Sequence, residues 1–210
     1  MSSIFEKHYR EYDAWYDKNR FAFLSELEAI KRVLPEKGSG LEIGVGTGRF
    51  AHALGIGTGI DPSENMIQVA KKRDIDVCQA CGESLPFKDS TFDYAAIIIA
   101  LCFAQYPLKL LKETNRALKK NGQIIIGIVD KNSFLGNFYK KKKSPFYKKA
   151  HFFTVKNIID MLRAAGFKGF SCYQTVFDLP DKISSVEKPQ ESFGKGGFVV
   201  ISAKSYLIPR

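Results

Sequence analysis

The chain has 210 residues, of which 45% are hydrophobic and 26% charged, and such values are typical of a globular domain that buries a core without disulfides or metal. No apolar run is long enough to span a membrane, since Ala95–Ala104 has only ten residues, and the amino terminus has no hydrophobic signal core. We therefore expect a cytoplasmic protein without a membrane partner. Cys78 and Cys81 form a C-x-x-C, but no second ligand pair follows, so we expect no metal site.

The formal net charge of +10 is concentrated in one segment. Between Asp130 and Asp160 there are eight lysines and no acid, which leaves +2 for the rest of the chain. Because the basic character is local, the overall charge does not by itself indicate nucleic-acid binding.

Apolar periodicity predicts an alternation of helices and strands along the chain. Residues 4–34 are predicted to be one helix, a cap that precedes the first strand. The further elements predicted, in chain order, are strand 40–45, a short helix after Gly48, strand 58–61, a helix from Pro62 to Arg73 capped by Asp61, strands 75–80 and 92–100, helix 107–119, strand 123–130, helix 154–165, and strands near 168–178 and 197–204. Breaks are predicted at Asn121-Gly122 and over 131–150. This order predicts a single domain over 1–210, a three-layer α/β sandwich.

A glycine motif follows the first predicted strand. Gly44, Gly46 and Gly48 are spaced G-x-G-x-G after the acid Glu42, and the second strand ends at Asp61. Glycines let the backbone approach a ligand closely, and an acid at a strand tip can bind both hydroxyls of a ribose. A dinucleotide fingerprint would need a third glycine where Arg49 stands. The pattern therefore predicts a different nucleoside cofactor at the carboxyl edge of a parallel sheet.

Three motifs in this order resemble those of class I S-adenosylmethionine-dependent methyltransferases, closest to the small stand-alone branch that methylates metabolites. They are the glycine motif, the segment 82–93 with Leu85-Pro86-Phe87 and Phe92-Asp93, and the helix and turn at 111–122. The resemblance runs from about 9 to 204. It implies a Rossmann-like, mostly parallel sheet of seven strands, the last antiparallel and inserted beside the sixth, and S-adenosyl-L-methionine as cofactor.

The resemblance also implies roles for individual residues. Glu42 would orient the glycine loop and the methionine ammonium of the cofactor, and Asp61 would bind the ribose. The position that often holds an adenine-binding aspartate is Cys81, a poor acceptor, so Glu83 or the backbone at Cys81 and Gly82 are the alternatives. The cofactor-binding residues predicted are Glu42, Gly44, Gly46, Gly48, Asp61, Pro62, Cys81, Gly82, Glu83, Ile99 and Tyr16.

The first helix carries an aromatic face. Tyr9, Tyr12 and Tyr16 lie on one side of it by their spacing. In similar methyltransferases this segment lies over the cofactor pocket, where ring faces attract a sulfonium or an amine. We expect Tyr9 and Tyr16 at the pocket and Trp15 in the core.

No catalytic residue is predicted. Methyl transfer needs alignment and dehydration more than a base, and the candidates for a base, His151, His8 and Tyr106, carry no distinguishing pattern.

The insert 131–153 combines lysines with seven aromatic residues. These are Phe134, Phe138, Tyr139, Phe146, Tyr147, Phe152 and Phe153. We predict a lid that orders when ligand binds; the alternative is a solvated basic loop over ordinary packing.

The expected function is methyl transfer to a nitrogen or oxygen atom of a small-molecule acceptor by a monomer or homodimer, without nucleic acid as partner. Two alternatives remain: an RNA or protein methyltransferase that uses the basic segment 131–156, and a non-catalytic cofactor-binding regulatory subunit. Against an RNA methyltransferase, no Asn/Asp-Pro-Pro-aromatic motif follows the fourth strand.

Overall fold

The structure, a computed structural model, describes residues 2–142 and 144–206. Its helices are α1 (Ser2–Lys18), α2 (Arg20–Lys31), α3 (Arg49–Leu54), α4 (Glu64–Lys71), α5 (Pro107–Ala117), α6 (Phe134–Lys141) and α7 (Val155–Ala164). Its strands are β1 (Gly40–Ile43), β2 (Thr58–Asp61), β3 (Asp76–Gln79), β4 (Phe92–Ile98), β5 (Leu118–Val129), β6 (Phe167–Thr175), β7 (Gln190–Glu191) and β8 (Phe198–Ser205). Short 3₁₀ turns cover Leu101–Phe103 and Tyr147–Lys149.

The strands form one sheet in the order β3-β2-β1-β4-β5-β8-β6-β7. The first five strands pair in parallel, and β8 lies antiparallel between β5 and β6. The predicted α/β fold with an inserted antiparallel last strand is therefore confirmed. The predicted strand count was one too low, because the two-residue β7 pairs with Tyr173 and Gln174 at the edge.

The core lies on both faces of the sheet. β4 and the second half of β5, residues 124–129, are nearly all apolar, as expected for strands covered on both sides. Helices α5 and α7 bury Leu111 and Ile158 on one face, and α2, α3 and α4 bury Ile30, Phe50 and Ile67 on the other. Among the residues described, no helix is long and apolar enough to cross a membrane.

Two predicted helix boundaries were wrong. The predicted helix 4–34 is divided at Asn19, whose φ of −113° and ψ of 44° are not helical; its backbone N–H and its side-chain amide both donate to the Trp15 carbonyl, at 3.0 and 2.9 Å. The helix after β2 begins at Glu64, capped by the Ser63 hydroxyl, which accepts the N–H of Met66 at 3.3 Å. Asp61 is therefore not its cap.

Of the two predicted breaks, the one over 131–150 was wrong and the one at Asn121-Gly122 is a bulge within a strand. The fifth strand starts at Leu118, but Asn121 adopts a left-handed φ of 61°, and the pairing with β4 shifts register between Leu118 and Gln123. The stretch 131–150 contains α6, whose first turn is capped by Ser133, and α6 buries Leu135 and Tyr139 against the sheet. Position 136 requires glycine, because a Cβ there would collide with the backbone of Asp130.

Candidate active site

The carboxyl ends of β1, β2 and β4 meet at one edge of the sheet, where a cleft of about 440 Å³ opens. Ligands of open α/β sheets bind at this edge. The cleft is lined by the glycine loop after β1, by Asp61–Ser63, by residues 80–83 and by residues 98–106.

Asp61 joins the first two of these segments. Its Oδ2 accepts the N–H of Gly46 at 3.0 Å, and its Oδ1 accepts the N–H of Ser63 at 2.9 Å. Burial raises the pKa of Asp61 to about 6, although both backbone N–H groups act to lower it. Because a carboxylate oxygen can accept more than one hydrogen bond, both oxygens can still accept a ligand hydroxyl.

The three motif glycines serve different purposes. Gly44 and Gly46 line the cleft, both with positive φ, and a Cβ on Gly46 would meet only the Tyr12 ring at 3.5 Å. A Cβ on Gly48, with φ +82°, would lie 2.5 Å from the side chain of Ile75. Gly48 lies outside the cleft lining and lets the loop pack against α4.

Glu42 lies in β1 behind the glycine loop rather than on the surface of the cleft. Its side chain is buried, and within the described chain its Oε2 has no hydrogen-bond partner. Burial, with a smaller effect of Asp61, holds its pKa well above the usual range. A buried acceptor left unpaired costs about 1–3 kcal/mol, so this carboxyl is fit to take a donor from a ligand.

The segment after β3 forms the opposite wall of the cleft. Pro62, Cys81, Gly82 and Glu83 all line it. Oε1 of Glu83 accepts the N–H groups of Gln105 at 2.9 Å and Tyr106 at 3.2 Å, so this acid anchors the segment after β4 and is not a free loop acid. The Cys81 thiol is free and exposed.

Ile99 stands at the end of β4 in a conformation that β-branched residues rarely adopt, with φ +55°. Its N–H donates to the Gly127 carbonyl at 2.9 Å, which fixes it beside β5. Backbone strain of this kind is concentrated at functional sites. Ile99 lines both the cleft and a second cavity.

This second cavity, which we call the aromatic pocket, has a volume of about 130 Å³. It shares Phe5, Tyr12, Ile99 and Phe103 with the cleft, so the two cavities adjoin. Its aromatic lining consists of Phe5, Tyr12, Trp15, Tyr16, Phe103, Tyr139, Phe146, Tyr147, Phe152 and Phe153. Glu26 of α2 lines it as a buried acid.

The aromatic residues of α1 are distributed differently from the prediction. Tyr16 is buried and lines the aromatic pocket, where its hydroxyl lies 2.7 Å from that of Tyr12. Tyr12 lines both cavities. Tyr9 lines neither and accepts a hydrogen bond from Arg10, whereas Trp15 packs against the core as expected and also lines the aromatic pocket.

Ion pairs hold α1 over the cleft. Arg49, at the start of α3, bonds Asp13 at 2.7 Å and Asp17 at 2.7 Å, and Arg73 bonds Asp13 at 3.0 Å. Although burial acts to raise it, these hydrogen bonds hold the pKa of Asp13 well below its usual range. Glu6 accepts the Ser63 hydroxyl at 2.6 Å, beside Asp61.

The three candidate bases lie outside the aromatic pocket. His8 pairs with Glu11 at 3.1 Å, His151 is exposed, and Tyr106 lines the cleft with 58% of its surface exposed.

The insert 131–153 presents one apolar and one charged side. Five of its seven aromatics, Tyr139, Phe146, Tyr147, Phe152 and Phe153, line the aromatic pocket, and Phe134 and Phe138 are exposed. The side chains of Lys140, Lys141, Lys142, Lys148 and Lys149 are exposed, and Lys143 lies outside the described residues. Ordering of this insert on ligand binding stays a prediction.

Sequence reasoning missed Phe5 and Glu26 as site residues. Glu26 could have been found, because its helical neighbours at i−4, i+3 and i+4 are Ala22, Ala29 and Ile30. An acid on an apolar helix face is a signal of a buried polar site.

Residues 41–126 match a family model described as a methyltransferase domain. An uncharacterized protein of Methanocaldococcus jannaschii is 50% identical over 204 residues, which cover 96% of this chain and 98% of that protein. A crystal structure of a SAM-dependent methyltransferase from Thermotoga maritima, described as a possible histamine N-methyltransferase, has a TM-score of 0.95 and 47% identity over 98% of this chain and 100% of its own. A demethylmenaquinone methyltransferase of Staphylococcus haemolyticus is 29% identical over 71% of this chain and 60% of its own length. The chain therefore belongs to the S-adenosylmethionine-dependent methyltransferases, as the motifs predicted.

Proposed function

We propose that this methyltransferase transfers the methyl group to a nitrogen or oxygen atom of a small molecule that binds in the aromatic pocket. The observation that carries the proposal is that the pocket adjoins the cleft at Phe5, Tyr12, Ile99 and Phe103. A cofactor in the cleft and an acceptor in the pocket would meet at these residues.

The residues of the cleft fit S-adenosylmethionine. The free acceptor capacity of Asp61 in the cleft suits ribose hydroxyls, and the unpaired Oε2 of Glu42, behind the glycine loop, suits a donor such as an ammonium group. Gly44 and Gly46 would lie against the methionyl part, and Cys81 with Gly82 against the adenine. When bound, the cofactor supplies a methyl group already activated by its sulfonium.

The chain's own contribution would be orientation and exclusion of water. Well-oriented reactants gain about 7–11 kcal/mol relative to reactants free in solution. The strained Ile99 and the ring of Tyr12 fix the shape of the junction, and α1 and the insert cover it. No general base is assigned, because His8, His151 and Tyr106 lie outside the aromatic pocket.

A pocket of about 130 Å³ lined mostly by aromatic and apolar side chains favours a small acceptor over a macromolecule. The T. maritima and staphylococcal relatives are also named for small acceptors. One observation favours RNA or protein instead: the insert that lines the pocket with aromatic residues also exposes several lysines, which make a basic surface. Family membership favours an enzyme over a non-catalytic cofactor-binding subunit.

The test uses S-adenosylmethionine that carries a radioactive methyl group. The enzyme is incubated separately with the low-molecular-weight fraction of a cell extract, with tRNA and with total protein. We expect label in the low-molecular-weight fraction and a mass gain of one methyl group in the labelled compound. Label confined to tRNA or protein would contradict the proposal.

A further inference from the structure

Glu26 is a buried acid without a partner. Its residue surface is 3% exposed, it lines the aromatic pocket, and its Oε2 has no hydrogen-bond partner in the described part of the chain. Two residues along the same helix, Glu28 behaves differently, because it pairs with Lys31 at 2.9 Å on the exposed side.

A carboxyl group in this position requires compensation. Acids are almost never fully buried unless they are paired, because removal from water disfavours the charged form. Burial raises the pKa of Glu26 to about 8, and no cationic group opposes that effect. The missing partner is therefore a hydrogen-bond donor that arrives with a ligand.

The surroundings of Glu26 select the charge of that ligand. No lysine, arginine or histidine within residues 2–142 and 144–206 lines the aromatic pocket, so nothing there would stabilise an anionic acceptor. Aromatic ring faces attract cations, and the pocket wall around Glu26 includes Tyr16, Tyr139 and Tyr147. Tyr139 and Tyr147 stack with their ring centroids 4.2 Å apart.

Building on the function proposed above, we propose that Glu26 and the surrounding aromatic rings bind a protonated amino group of the methyl acceptor, so that the acceptor is a small organic amine. Glu26 is then a specificity-determining residue that contacts the substrate. The carboxylate accepts hydrogen bonds from the ammonium, and the rings cover the remaining surface of the cation.

Binding of this kind moves a proton in a defined direction. Near neutral pH the carboxyl of the empty pocket is largely protonated, and the amine in solution is an ammonium. When the two pair as carboxylate and ammonium, the carboxyl proton passes to solvent. The other titratable groups that line the pocket are Glu11, Tyr12, Tyr16, Cys102, Tyr139 and Tyr147.

None of these neighbours would release that proton. Burial raises the pKa of Cys102 and of Tyr147 to about 12, and those of Tyr12, Tyr16 and Tyr139 still higher. Glu11 lies at the exposed mouth and pairs with His8, and both remain unchanged in the variants below.

The experiment measures binding by calorimetry with S-adenosylhomocysteine held at saturation. The probes are matched pairs, 2-phenylethylamine with 2-phenylethanol and tryptamine with tryptophol. We expect the wild-type protein to bind at least one amine about tenfold or more tightly than its alcohol, equal to about 1.4 kcal/mol. The absence of an amine preference in every pair would overturn the proposal, and this comparison needs no variant.

Glu26→Gln and Glu28→Gln provide the matched variants, since both remove one acid from the same helix. We expect the amine preference to be lost in Glu26→Gln and kept in Glu28→Gln, with unchanged affinity for S-adenosylhomocysteine in both. Titrations at pH 7 in buffers of different ionisation enthalpy should report release of close to one proton with the wild type and none with Glu26→Gln. An amine preference or proton release that persists in Glu26→Gln would refute the role of Glu26.

The outcomes separate this inference from the function on which it rests. Methylation of a neutral or acidic small molecule, at equal rates by wild type and Glu26→Gln, would refute the amine site and leave the proposed function intact. Methylation of tRNA or protein alone would refute both.

Discussion

Asp61 at the end of β2 accepts the backbone N–H of Gly46 at 3.0 Å, so the acid of the second strand and the glycine loop of the first are joined directly. Its second oxygen accepts the N–H of Ser63, the residue that caps α4. One carboxylate thus fixes two walls of the cleft relative to each other while it keeps acceptor capacity for a ligand. This explains why residues fifteen positions apart in the sequence act as one motif.

Asp61→Ala should weaken binding of S-adenosylmethionine by about 10- to 100-fold, because a charge-assisted pair is worth about 1.5–3 kcal/mol. We also expect a modest loss of stability, since two backbone N–H groups lose their acceptor. Calorimetry with Asp76→Ala as control, an exposed acid of β3, tests this. Unchanged affinity in Asp61→Ala would mean that the ribose is bound elsewhere.

Gly46→Ala and Gly48→Ala should differ in kind. Each places an alanine at positive φ, which costs roughly 1–2 kcal/mol of folding stability. At Gly48 the new Cβ would also press on Ile75 and Ala70, so we expect the larger loss of stability there, whereas Gly46→Ala should show the larger loss of cofactor affinity. Urea unfolding measures the stability of both variants, and calorimetry measures their affinity for the cofactor. The reverse ranking would contradict these roles.

Local sequence patterns were sufficient to predict the glycine loop and the strand that ends at Asp61, because each depends on a strand followed by a turn. The inserted antiparallel last strand was predicted from the family resemblance. The same local patterns failed to predict which residue caps α4, because two residues before this helix can accept its first backbone N–H groups. Asp61 and Ser63 both precede α4, and only the position of the Gly46 N–H determines that Asp61 turns away and Ser63 caps.

The aromatic pocket was harder to predict because its walls come from distant parts of the chain. The lysine run at 140–143 concealed the helical spacing of Leu135 and Tyr139, so α6 was predicted as loop. The sequence distinguishes Glu26, whose helical neighbours are apolar, from Glu28, which has Lys31 three residues on, but only the packing shows that Glu26 lines a pocket.

The stability of the protein should depend on pH through Glu26. Its pKa rises from 4.5 to about 8 on folding, so the folded state keeps a proton that the unfolded chain releases. The resulting stabilisation is fully present below pH 4.5 and is lost as pH rises towards 8, by up to roughly 5 kcal/mol. Glu26→Gln lacks this titration, so its stability relative to wild type should increase with pH. Urea unfolding between pH 5 and pH 8 checks this, and a constant difference would contradict it.

The insert 131–153 should exchange its backbone amides more slowly when both ligands are bound. Its lysines repel one another, whereas its aromatics gain contacts when the pocket is filled. Hydrogen exchange with and without S-adenosylhomocysteine plus acceptor measures this. Equal exchange over 134–153 in both states would refute the lid, and exchange over α7 serves as the internal control.

Replacement of Lys140, Lys141, Lys142 and Lys143 by serine separates the two acceptor classes. If the acceptor is a small amine, we expect little effect on methyl transfer, because these side chains point to solvent where they are described. Methylation of tRNA by the wild type that falls steeply in the variant would support the nucleic-acid alternative, as binding through phosphates depends on such charges.

Blocking the aromatic pocket is the most direct test that the acceptor binds there. Ala150 lines the pocket from a half-buried position, and Ala53 is an exposed alanine of α3 outside both cavities. The measurement is transfer of labelled methyl to the low-molecular-weight fraction of an extract by Ala150→Trp and Ala53→Trp, with S-adenosylmethionine affinity measured in parallel. We predict that Ala150→Trp loses transfer by about 100-fold or more while cofactor affinity remains near that of the wild type, and that Ala53→Trp behaves as wild type. Undiminished transfer by folded Ala150→Trp would contradict the assignment of the aromatic pocket as the acceptor site.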